Sequence, residues 1–238
     1  MFPQAGCEHE APTRTADRVT HDPRLNESAL SVRDLGLIDY AEAWALQKQL
    51  VDARRDVGGV DTLLVCEHPA VITTGRGTQN DFLREARFPI HEVERGGEAT
   101  YHGPGQIVVY PIVGLAEGAR DLHAYLRALE QACLDACAQF GLGAGRREGA
   151  TGVWVDGARK LASLGVAARR WVTYHGLALN HSTDLSHFEA IQPCGFEASV
   201  MTSLQRELDA RCPARDDFRD ALVEHLQQQL HAFREIPS

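Results

Sequence analysis

The segment 95-RGGEATYHGPGQ-106 holds four glycines and one proline in twelve residues, and it ends directly before the apolar run 107-IVVYPIV-113. Glycine is needed where the backbone takes a positive φ or lies close to another molecule, so this composition is not that of a packed core. The run 107–113 is rich in β-branched residues and predicts a strand. The segment therefore predicts the wall of a pocket at the entrance to a strand.

Two more specific interpretations of the glycine segment are weaker. A phosphate-binding loop is a poor match, because no Gly-Lys-Ser/Thr follows the glycines and no helix is predicted at their end. His102 lies within the segment, but a single histidine is more often a hydrogen-bonding residue of the fold than a catalyst. The glycines alone therefore carry the pocket prediction.

The elements around this segment mix helices and strands without a regular βαβ alternation. Capping signals and apolar periodicity predict helices at 40–55, at 122–140 between an Asp121 cap and Gly141, and at 215–233. Strands are predicted at 62–66, 71–74, 107–113, 153–156, 160–166 and 171–179. Pro111 cannot donate a ladder hydrogen bond, so its strand is expected at an edge or a bulge. The fold class predicted is α+β, with a mixed sheet and flanking helices.

The chain divides into a tail and one domain. Residues 1–30 are rich in Pro, Thr, Asp, Glu and Arg, and they are expected to form a disordered or loosely attached N-terminal tail. Residues 31–238 are expected to form a single catalytic domain. Cys7 and His9 in the tail are too few for a metal site, and Cys133 and Cys137 fall on an apolar helix stripe, where core packing is expected. No metal site is predicted.

Composition excludes several classes of protein. The formal net charge of −9 argues against non-specific nucleic-acid binding, and no apolar run approaches the roughly 20 residues that span a bilayer. The N-terminus has no secretory signal pattern, so a cytoplasmic location is expected. The six cysteines contain no CxxC pair, so no structural disulfide is expected.

Two further residues have the chemistry of an active site. Lys160 opens the apolar run 160-KLASLGV-166, where an amine held against a strand would be partly desolvated and able to exchange a proton. Cys194 lies between Pro193 and Gly195, which predicts a turn that exposes the thiol. An unassisted thiol, with a pKa of about 8.5, is only slightly ionised at neutral pH and needs a basic partner. From spacing alone that partner could be Lys160, His102 or His175.

Four runs, taken in order, resemble the lipoyl(octanoyl) transferase family: RGGEATYHGPGQ (95–106), KLASLG (160–165), TYHGLALN (173–180) and QPCGF (192–196). The resemblance covers roughly residues 31–230. It implies the catalytic-domain fold shared by biotin and lipoate protein ligases. The first run is the most specific of the four, and the extended N-terminus is the main departure.

The resemblance also implies roles for individual residues. Cys194 matches the cysteine that accepts the acyl group, and Lys160 matches the lysine that pairs with it. The substrate-binding stretch and two segments lining the acyl pocket are implied at Arg95, Gly96, Gly97, Glu98, Ala99, Thr100, Tyr101 and His102, at Ser163, Leu164 and Gly165, and at Gly176, Leu177 and Ala178. The glycines at 103, 105, 165 and 176 are expected to let an acyl chain lie against the backbone.

The implied reaction is the first step of endogenous protein lipoylation. An octanoyl group passes from octanoyl-acyl carrier protein, through a thioester on Cys194, to a lysine of an acceptor domain. The implied acceptors are the lipoyl domains of 2-oxoacid dehydrogenase E2 subunits and the glycine cleavage H protein. No ATP or other cofactor, no metal, no nucleic acid and no membrane are implied. Because carrier proteins are acidic, Arg146, Arg147, Arg169 and Arg170 are expected to form a basic docking patch.

Three alternatives remain open. An ATP-dependent lipoate or biotin protein ligase of the same fold would need no cysteine nucleophile. A thioester hydrolase would pair Cys194 with His102 or His175 and release octanoate to water. A lipoyl-domain binding module without activity would have no need of Cys194 and Lys160.

Overall fold

The structure is a computed structural model that describes residues 18–19, 30–79, 81–192 and 196–234. Its strands are β1 (Arg18–Val19), β2 (Ser31–Leu37), β3 (Thr62–Glu67), β4 (Val71–Thr74), β5 (Ile90–Glu92), β6 (Thr100–His102), β7 (Gln106–Ile112), β8 (Gly145–Arg147), β9 (Ala150–Val155), β10 (Arg159–Arg169) and β11 (Val172–Asn180). Its α-helices are α1 (Tyr40–Val57), α2 (Leu122–Gln139), α3 (Leu204–Leu208) and α4 (Arg215–Leu230). Short 3₁₀ turns cover Glu117–Ala119, Leu185–Ala190, Ala198–Val200, Asp209–Arg211 and His231–Phe233.

An eight-stranded sheet in the order β1-β2-β3-β7-β11-β10-β9-β8 forms the centre of the fold. Strands β2 and β3 are parallel and are joined by α1, whereas the other neighbours in this sheet are antiparallel. The sheet is therefore mixed, with helices on both faces. The α+β class predicted from the sequence is confirmed.

Residues along the central strands alternate between two differently packed faces. On β3, Leu63 and Val65 join the apolar cluster that contains α2 and α4, whereas Leu64 and Cys66 join the cluster that contains Tyr40 of α1. Because side chains alternate with a period of two in a strand, this division places α2 and α4 on one face and α1 on the other.

Helix α2 begins and ends where the sequence predicts. The Asp121 carboxylate accepts hydrogen bonds from the backbone N–H groups of His123 (2.8 Å) and Ala124 (3.1 Å). Gly141 takes a φ of +75° directly after the last turn, where a left-handed residue ends a helix. Cys133 and Cys137 are buried among apolar side chains, which confirms the packing role expected for both. The predicted last helix is also present, although α4 ends at Leu230 and continues as a 3₁₀ turn.

Helix α1 lies along the opposite face of the sheet. Asp39 caps it by accepting from the N–H of Ala41 (2.8 Å), and Gly58, with a φ of +68°, ends it. Its first residue, Tyr40, packs over the middle of the sheet, whereas Val51 near its other end packs against the β10–β11 hairpin. The helix predicted at 40–55 is confirmed, with two more residues at its C-terminus.

A second, three-stranded sheet in the order β5-β4-β6 supports the glycine segment. Its apolar side packs Ile72 and Tyr101 against Phe188, Ile191 and Met201. This small cluster joins the segment around residue 100 to the segment just before residue 193. The two stretches with the most specific motifs are therefore neighbours in space.

The strand containing Pro111 is central rather than at an edge, so of the two positions expected for it, an edge or a bulge, the edge is wrong and an irregularity in the ladder is present. Strand β7 pairs with β3 along 108–112 and with β11 along 106–109. Beyond Val109 the ladder to β11 is interrupted, and it resumes as a single bridge between Gly114 and Val172. His175 of β11 has a φ of +57° and turns its N–H to the Gln47 side chain (2.8 Å). Strand β11 therefore does not pair with β7 at Pro111, which has no N–H group to donate to a ladder hydrogen bond.

The predicted tail falls almost entirely outside the described residues, and the domain boundary near residue 31 stays a prediction. Within the tail, β1 pairs Arg18 and Val19 with Asp34 and Arg33 of β2. Cys7 and the turn Pro193–Gly195 with its thiol also lie outside the described residues. Over the described part of the chain, no helix is both long and apolar enough to cross a membrane.

Candidate active site

A cavity opens between the glycine segment, β10 and β11, and its empty volume, mouth included, is about 440 Å³. Most of the residues implied by the family resemblance line it: Arg95, Gly97, Glu98, Thr100, His102, Ser163, Leu164, Gly165, Gly176, Leu177 and Ala178. Tyr40, Tyr110 and His175 complete the wall.

Three residues of the predicted binding stretch do not line the cavity. Gly96 donates its N–H to the carbonyl of Val166 (3.0 Å) and so fastens the segment to β10. Ala99 is fully buried in the cluster beneath the small sheet. The hydroxyl of Tyr101 lies 2.8 Å from Nδ1 of His187, on the far side of the wall. These three residues support the wall from behind.

Gly165 and Gly176 face each other across the β10–β11 pair and line the cavity. A Cβ on Gly165 would lie 2.8 Å from the carbonyl oxygen of Gly96, and one on Gly176 would collide with the carbonyl oxygen of Val109. Glycine is therefore required here because neighbouring backbone lies too close for a side chain.

Gly103 and Gly105 serve the turn, and the expectation that they contact an acyl chain is wrong. Neither residue lines the cavity. A Cβ on Gly103 would collide with the Tyr101 ring, and Gly105 takes a φ of +86° beside the backbone of Ser182 and Thr183. These two glycines let the chain turn sharply from β6 into β7.

Arg95 fixes the conformation of the glycine segment. Its guanidinium donates to the carbonyl of Thr73 (2.9 Å), to the Thr73 hydroxyl (3.0 Å) and to the carbonyl of Gly96 (3.2 Å). The side chain is largely buried and lines the cavity. Arg95 thus connects β4 to the wall while it places a positive charge beside the cavity.

His102 has both ring nitrogens engaged in a buried network. Gln106 donates its amide N–H₂ to the Tyr101 carbonyl and to Oδ1 of Asn180 (both 3.0 Å), so its Oε1 accepts from Nδ1 of His102 (3.1 Å). Nε2 of His102 then accepts from the Thr73 hydroxyl (3.3 Å). Burial, aided by neighbouring positive charge, holds the pKa of His102 well below its usual value. Its lowered pKa and the occupied lone pair of Nε2 make His102 a poor acceptor for the Cys194 proton.

A second neutral histidine lies under the cavity. Nδ1 of His68 donates to the carbonyl of Ile38 (2.8 Å), and its Nε2 accepts from the hydroxyl of Tyr110 (2.8 Å). Burial lowers the pKa of His68 and raises that of Tyr110. Tyr40 contacts both rings: it packs edge-on against His68 and stacks on His102, with ring centroids 5.3 Å and 5.9 Å away. The floor of the cavity is thus polar in composition and neutral in charge.

His175 differs from the other two histidines because its ring reaches the cavity without a firm partner. Neither ring nitrogen has a hydrogen-bond partner among the described residues, and Nε2 lies 3.6 Å from a carboxylate oxygen of Glu94. Burial, together with the charge of Arg95, lowers the pKa of His175 to about 4, against the opposing effect of Glu94. His175 is therefore a neutral polar group available to a bound ligand.

Lys160 is buried at the start of β10, three residues before the cavity wall at Ser163, and only 2% of its surface is exposed. Its Nζ lies 5.5 Å from the ring centroid of Trp154 and 6.0 Å from that of Phe196. Among the described residues, no carboxylate forms an ion pair with it. A buried amine without an anionic partner is uncommon, because burial of a charge is costly unless it is paired.

Cys194 itself lies outside the described residues, but the residues on either side of 193–195 are anchored. Gln192 donates its N–H to the carbonyl of Phe82 (2.8 Å). On the other side, the Phe196 ring packs edge-on against Trp154, with centroids 5.3 Å apart. Phe196 and Lys160 therefore share one aromatic neighbour.

The four arginines expected to form one docking patch are divided between two places. Arg146 and Arg147 belong to β8 at the sheet edge, near the start of β10, whereas Arg169 and Arg170 lie at its far end. At about 3.3 Å per residue, the nine residues from Lys160 to Arg169 span roughly 30 Å. Arg146 and Arg169 are also paired with carboxylates. The single-patch expectation is wrong.

Tyr40 and Tyr110 were missed by sequence reasoning, and His175 was considered only as a base. Tyr40 opens a helix and Tyr110 belongs to an apolar strand, so each is typical of ordinary core packing. Their role at the cavity follows from the crossing of α1 over the sheet, which no local pattern contains. Over the described residues, no group of three or more His, Cys, Asp or Glu side chains is arranged to hold a metal ion.

Comparisons with known proteins agree with this geometry. Residues 39–227 match the family described as the lipoyl protein ligase A/B catalytic domain, and the chain belongs to that family. The structure is similar to a bi-partite lipoate protein ligase from Thermoplasma acidophilum, with a TM-score of 0.65 and 16% identity over 85% of each chain. The fold predicted from the sequence is confirmed.

Closer relatives define the activity. An octanoyltransferase of Mycobacterium tuberculosis is 49% identical over 192 residues, which are 80% of this chain and 83% of the relative. An octanoyltransferase of Mycobacterium leprae is 46% identical over 213 residues, which are 85% of this chain and 88% of the relative. The protein is therefore an acyltransferase, and the group that it transfers in protein lipoylation is octanoyl.

Proposed function

We propose that the protein takes octanoyl from octanoyl-acyl carrier protein onto Cys194 as a thioester, with Lys160 as proton acceptor and donor. The acyl group then passes to a lysine amine of a lipoyl domain. The observation that carries this proposal is the burial of Lys160, without a carboxylate partner among the described residues, beside the aromatic ring that Phe196 contacts.

Chain connectivity supports the pairing of Lys160 with Cys194. Consecutive Cα atoms are about 3.8 Å apart, so Cys194 cannot be more than about 7.6 Å, Cα to Cα, from Phe196. The Phe196 ring centroid is 6.0 Å from Nζ of Lys160. The competing bases are less suitable, because both nitrogens of His102 are engaged and His175 lies on β11 beside Glu94.

The cavity suits an unbranched acyl chain. Besides Ser163 and His175, its β10 and β11 walls include Leu164, Gly165, Gly176, Leu177 and Ala178, which are apolar residues or glycines that expose backbone. At about 0.8 kcal/mol for each buried CH₂ group, an eight-carbon chain would contribute several kcal/mol of binding free energy. His175 and Arg95 at the same cavity provide polar groups for the thioester end.

The reaction then consists of two successive transfers of the octanoyl group, first to Cys194 and then to the acceptor amine, with proton transfer through Lys160. Lys160 accepts the Cys194 proton, and the thiolate attacks the carrier thioester carbonyl. The new carbon–sulfur bond forms as the old one breaks, and the leaving carrier thiolate takes the proton from Lys160. In the second half the acceptor amine attacks the octanoyl-Cys194 carbonyl, Lys160 removes its proton, and Cys194 leaves as the thiolate.

The backbone N–H of Leu164 is the best placed donor for the oxyanion of these steps. Strand β9 pairs with β10 only as far as Ala162, so the outer edge of β10 has no strand partner beyond that residue. The carbonyl of Val166 points to this edge, where it accepts from Gly96. Since groups two residues apart point the same way in a strand, the N–H of Leu164 faces the same edge. One such donor is worth roughly 3 kcal/mol in other acyl-transfer enzymes.

The two enzymatic alternatives can be distinguished by their requirements and products. An ATP-dependent ligase would stay active after Cys194→Ala and would require ATP. A thioester hydrolase would release octanoate to water and modify no acceptor. The acceptors expected for this chain, namely E2 lipoyl domains and the glycine cleavage H protein, present an amine as the final nucleophile. A cytoplasmic location, where thiols stay reduced, suits a cysteine nucleophile.

Intact-mass spectrometry after incubation with octanoyl-acyl carrier protein tests the proposal. Wild type should gain one octanoyl group without ATP, and hydroxylamine should remove it. Cys194→Ala should gain none, whereas the matched control Cys212→Ala, at a partly exposed cysteine outside the cavity, should react like wild type. An octanoyl group retained by Cys194→Ala would rule out the proposed nucleophile.

A further inference from the structure

We propose that Glu130 is a positioning residue for Lys160: its buried carboxylate holds Gly152 in a backbone conformation that leaves room for the lysine side chain. This inference rests on the proposed catalytic role of Lys160. Glu130 belongs to α2 and contacts neither Lys160 nor the cavity, so it acts only through the strand that it holds.

Glu130 is fully buried, and three donors converge on its carboxylate. Oε1 accepts from the backbone N–H of Gly152 (2.9 Å). Oε2 accepts from the guanidinium groups of Arg127 (2.6 Å) and Arg146 (3.0 Å). A carboxylate without solvent contact keeps its geometry only while such partners remain, so the helix and the strand are fixed to each other at this point.

Gly152 is the position where this attachment reaches Lys160. Its φ is +137°, a conformation that residues with a side chain rarely adopt. A Cβ there would lie 2.8 Å from Cε of Lys160 and 2.7 Å from the carbonyl oxygen of Ala162. The β9–β10 register also shifts between Lys160 and Ala162. The direction of the lysine side chain therefore depends on the path of β9 at Gly152.

The second carboxylate oxygen acts on the other side of the lysine. By binding Arg146 it fixes β8, and the next residue, Arg147, covers the aromatic pair that Lys160 also contacts. The Arg147 guanidinium carbon lies 4.9 Å from the Trp154 ring centroid and 5.0 Å from that of Phe196. One buried carboxylate thus helps to fix both the strand beside Lys160 and the aromatic pair that its side chain contacts.

The chain provides a matched control for Glu130. Asp61 is a second buried carboxylate that accepts from one backbone N–H, that of Gly114 (2.9 Å), and from two arginines, Arg54 (2.7 Å) and Arg234 (2.9 Å). It immediately precedes β3, away from Lys160 and the cavity. Asp61→Asn should therefore reproduce the loss of a buried charge without moving Lys160.

Glu130→Gln and Asp61→Asn should be compared under conditions where both are folded. For Glu130→Gln we expect the rate constant of Cys194 acylation to fall at least tenfold, with KM for octanoyl-acyl carrier protein within twofold of wild type and a displaced pH profile. Asp61→Asn should keep the wild-type rate constant and profile. If Glu130→Gln does not fold, Arg146→Gln, at a partly exposed residue, should give a smaller loss of two- to threefold. The inference would be overturned if the Glu130 variant, or the Arg146 variant in its place, had the same acylation rate constant and pH profile as Asp61→Asn.

Amine labelling separates this inference from the proposed function. The chain contains two lysines, Lys48 and Lys160, so exposed Lys48 is an internal reference for acetic anhydride labelling. Lys160 should react at least fivefold faster in Glu130→Gln than in wild type, and no faster in Asp61→Asn. If wild type forms no octanoyl-Cys194 adduct, the proposed function fails whatever the labelling shows. If the adduct forms but labelling is unchanged, the positioning role alone fails.

Discussion

The two faces of the eight-stranded sheet are built from alternate residues of the same strands, yet they have different roles. On the α2–α4 face, Leu63 and Val65 pack against helices in one continuous apolar cluster. On the α1 face, Tyr40, His68 and His102 form a buried aromatic and polar network beside the cavity. Stability and ligand chemistry therefore depend on opposite sides of the sheet, and substitutions should affect one without the other.

Removal of the proposed base should give the largest effect on chemistry. Lys160→Met keeps the length and apolar contacts of the side chain but removes the amine. Since general acid–base catalysis typically contributes 10²- to 10⁴-fold, Cys194 acylation should slow by about that factor, or roughly 3–5 kcal/mol in barrier. Single-turnover acylation followed by mass spectrometry measures it. Lys48→Met, which removes the other lysine packed on a tryptophan ring (3.7 Å to the Trp44 centroid), should react at the wild-type rate.

A substitution on the packed face should give the reverse result. Leu226 of α4 is fully buried in the α2–α4 cluster, so Leu226→Ala should lower the free energy of unfolding by about 2–5 kcal/mol. Urea unfolding measures the loss. Acylation per folded molecule should stay within twofold of wild type. A tenfold loss in the folded variant would show that the two faces are not separable.

Gly176→Ala should combine both effects, because Gly176 is at the boundary between backbone packing and the cavity. The added Cβ would collide with the carbonyl oxygen of Val109, and overpacking of this kind typically costs about 1–3 kcal/mol. Octanoate binding, measured by calorimetry on the folded variant, should weaken as well. Binding unchanged from wild type would place the acyl chain elsewhere in the cavity.

The buried histidines of the α1 face should make stability depend on pH. The pKa of His175 is lowered to about 4, below the roughly 6.5 of an unfolded chain. Between these values the unfolded state binds more protons, so stability is complete above pH 6.5 and decreases as the pH falls. At pH 5.5 His175 accounts for roughly 1 kcal/mol of this loss. His175→Gln should flatten the dependence of the urea midpoint on pH, and identical slopes would contradict the assignment.

The predictions from sequence that succeeded are those in which a residue type is required by local geometry. The glycine segment predicted a pocket wall because few other residues fit such a backbone, and five of its residues line the cavity: Arg95, Gly97, Glu98, Thr100 and His102. Helix α2 was predicted from its Asp121 cap and its apolar stripe. These signals come from residues that are neighbours in sequence, so they can be recognised without knowledge of the fold.

The features that were missed depend on contacts distant in sequence. Tyr110 is separated from its partner His68 by 42 positions, and Gly152 from Glu130 by 22. Pro111 was expected at an edge or a bulge because proline lacks an N–H. The sequence near residue 111 could not show which of the two applies, since the irregularity lies in the partner strand β11. Gly103 and Gly105, like Gly165, were expected to let an acyl chain lie against the backbone, since composition does not distinguish a turn from a cavity wall.

The most direct test of the account is a chase of isolated octanoyl-enzyme. Wild type loaded with octanoyl and freed of carrier protein is mixed with a lipoyl domain, without ATP, and both proteins are followed by intact mass. The account predicts that octanoyl leaves the enzyme and appears on the domain at the same rate, in a form resistant to hydroxylamine. Release of octanoate to water with the domain unmodified, or transfer only after ATP is added, would contradict it.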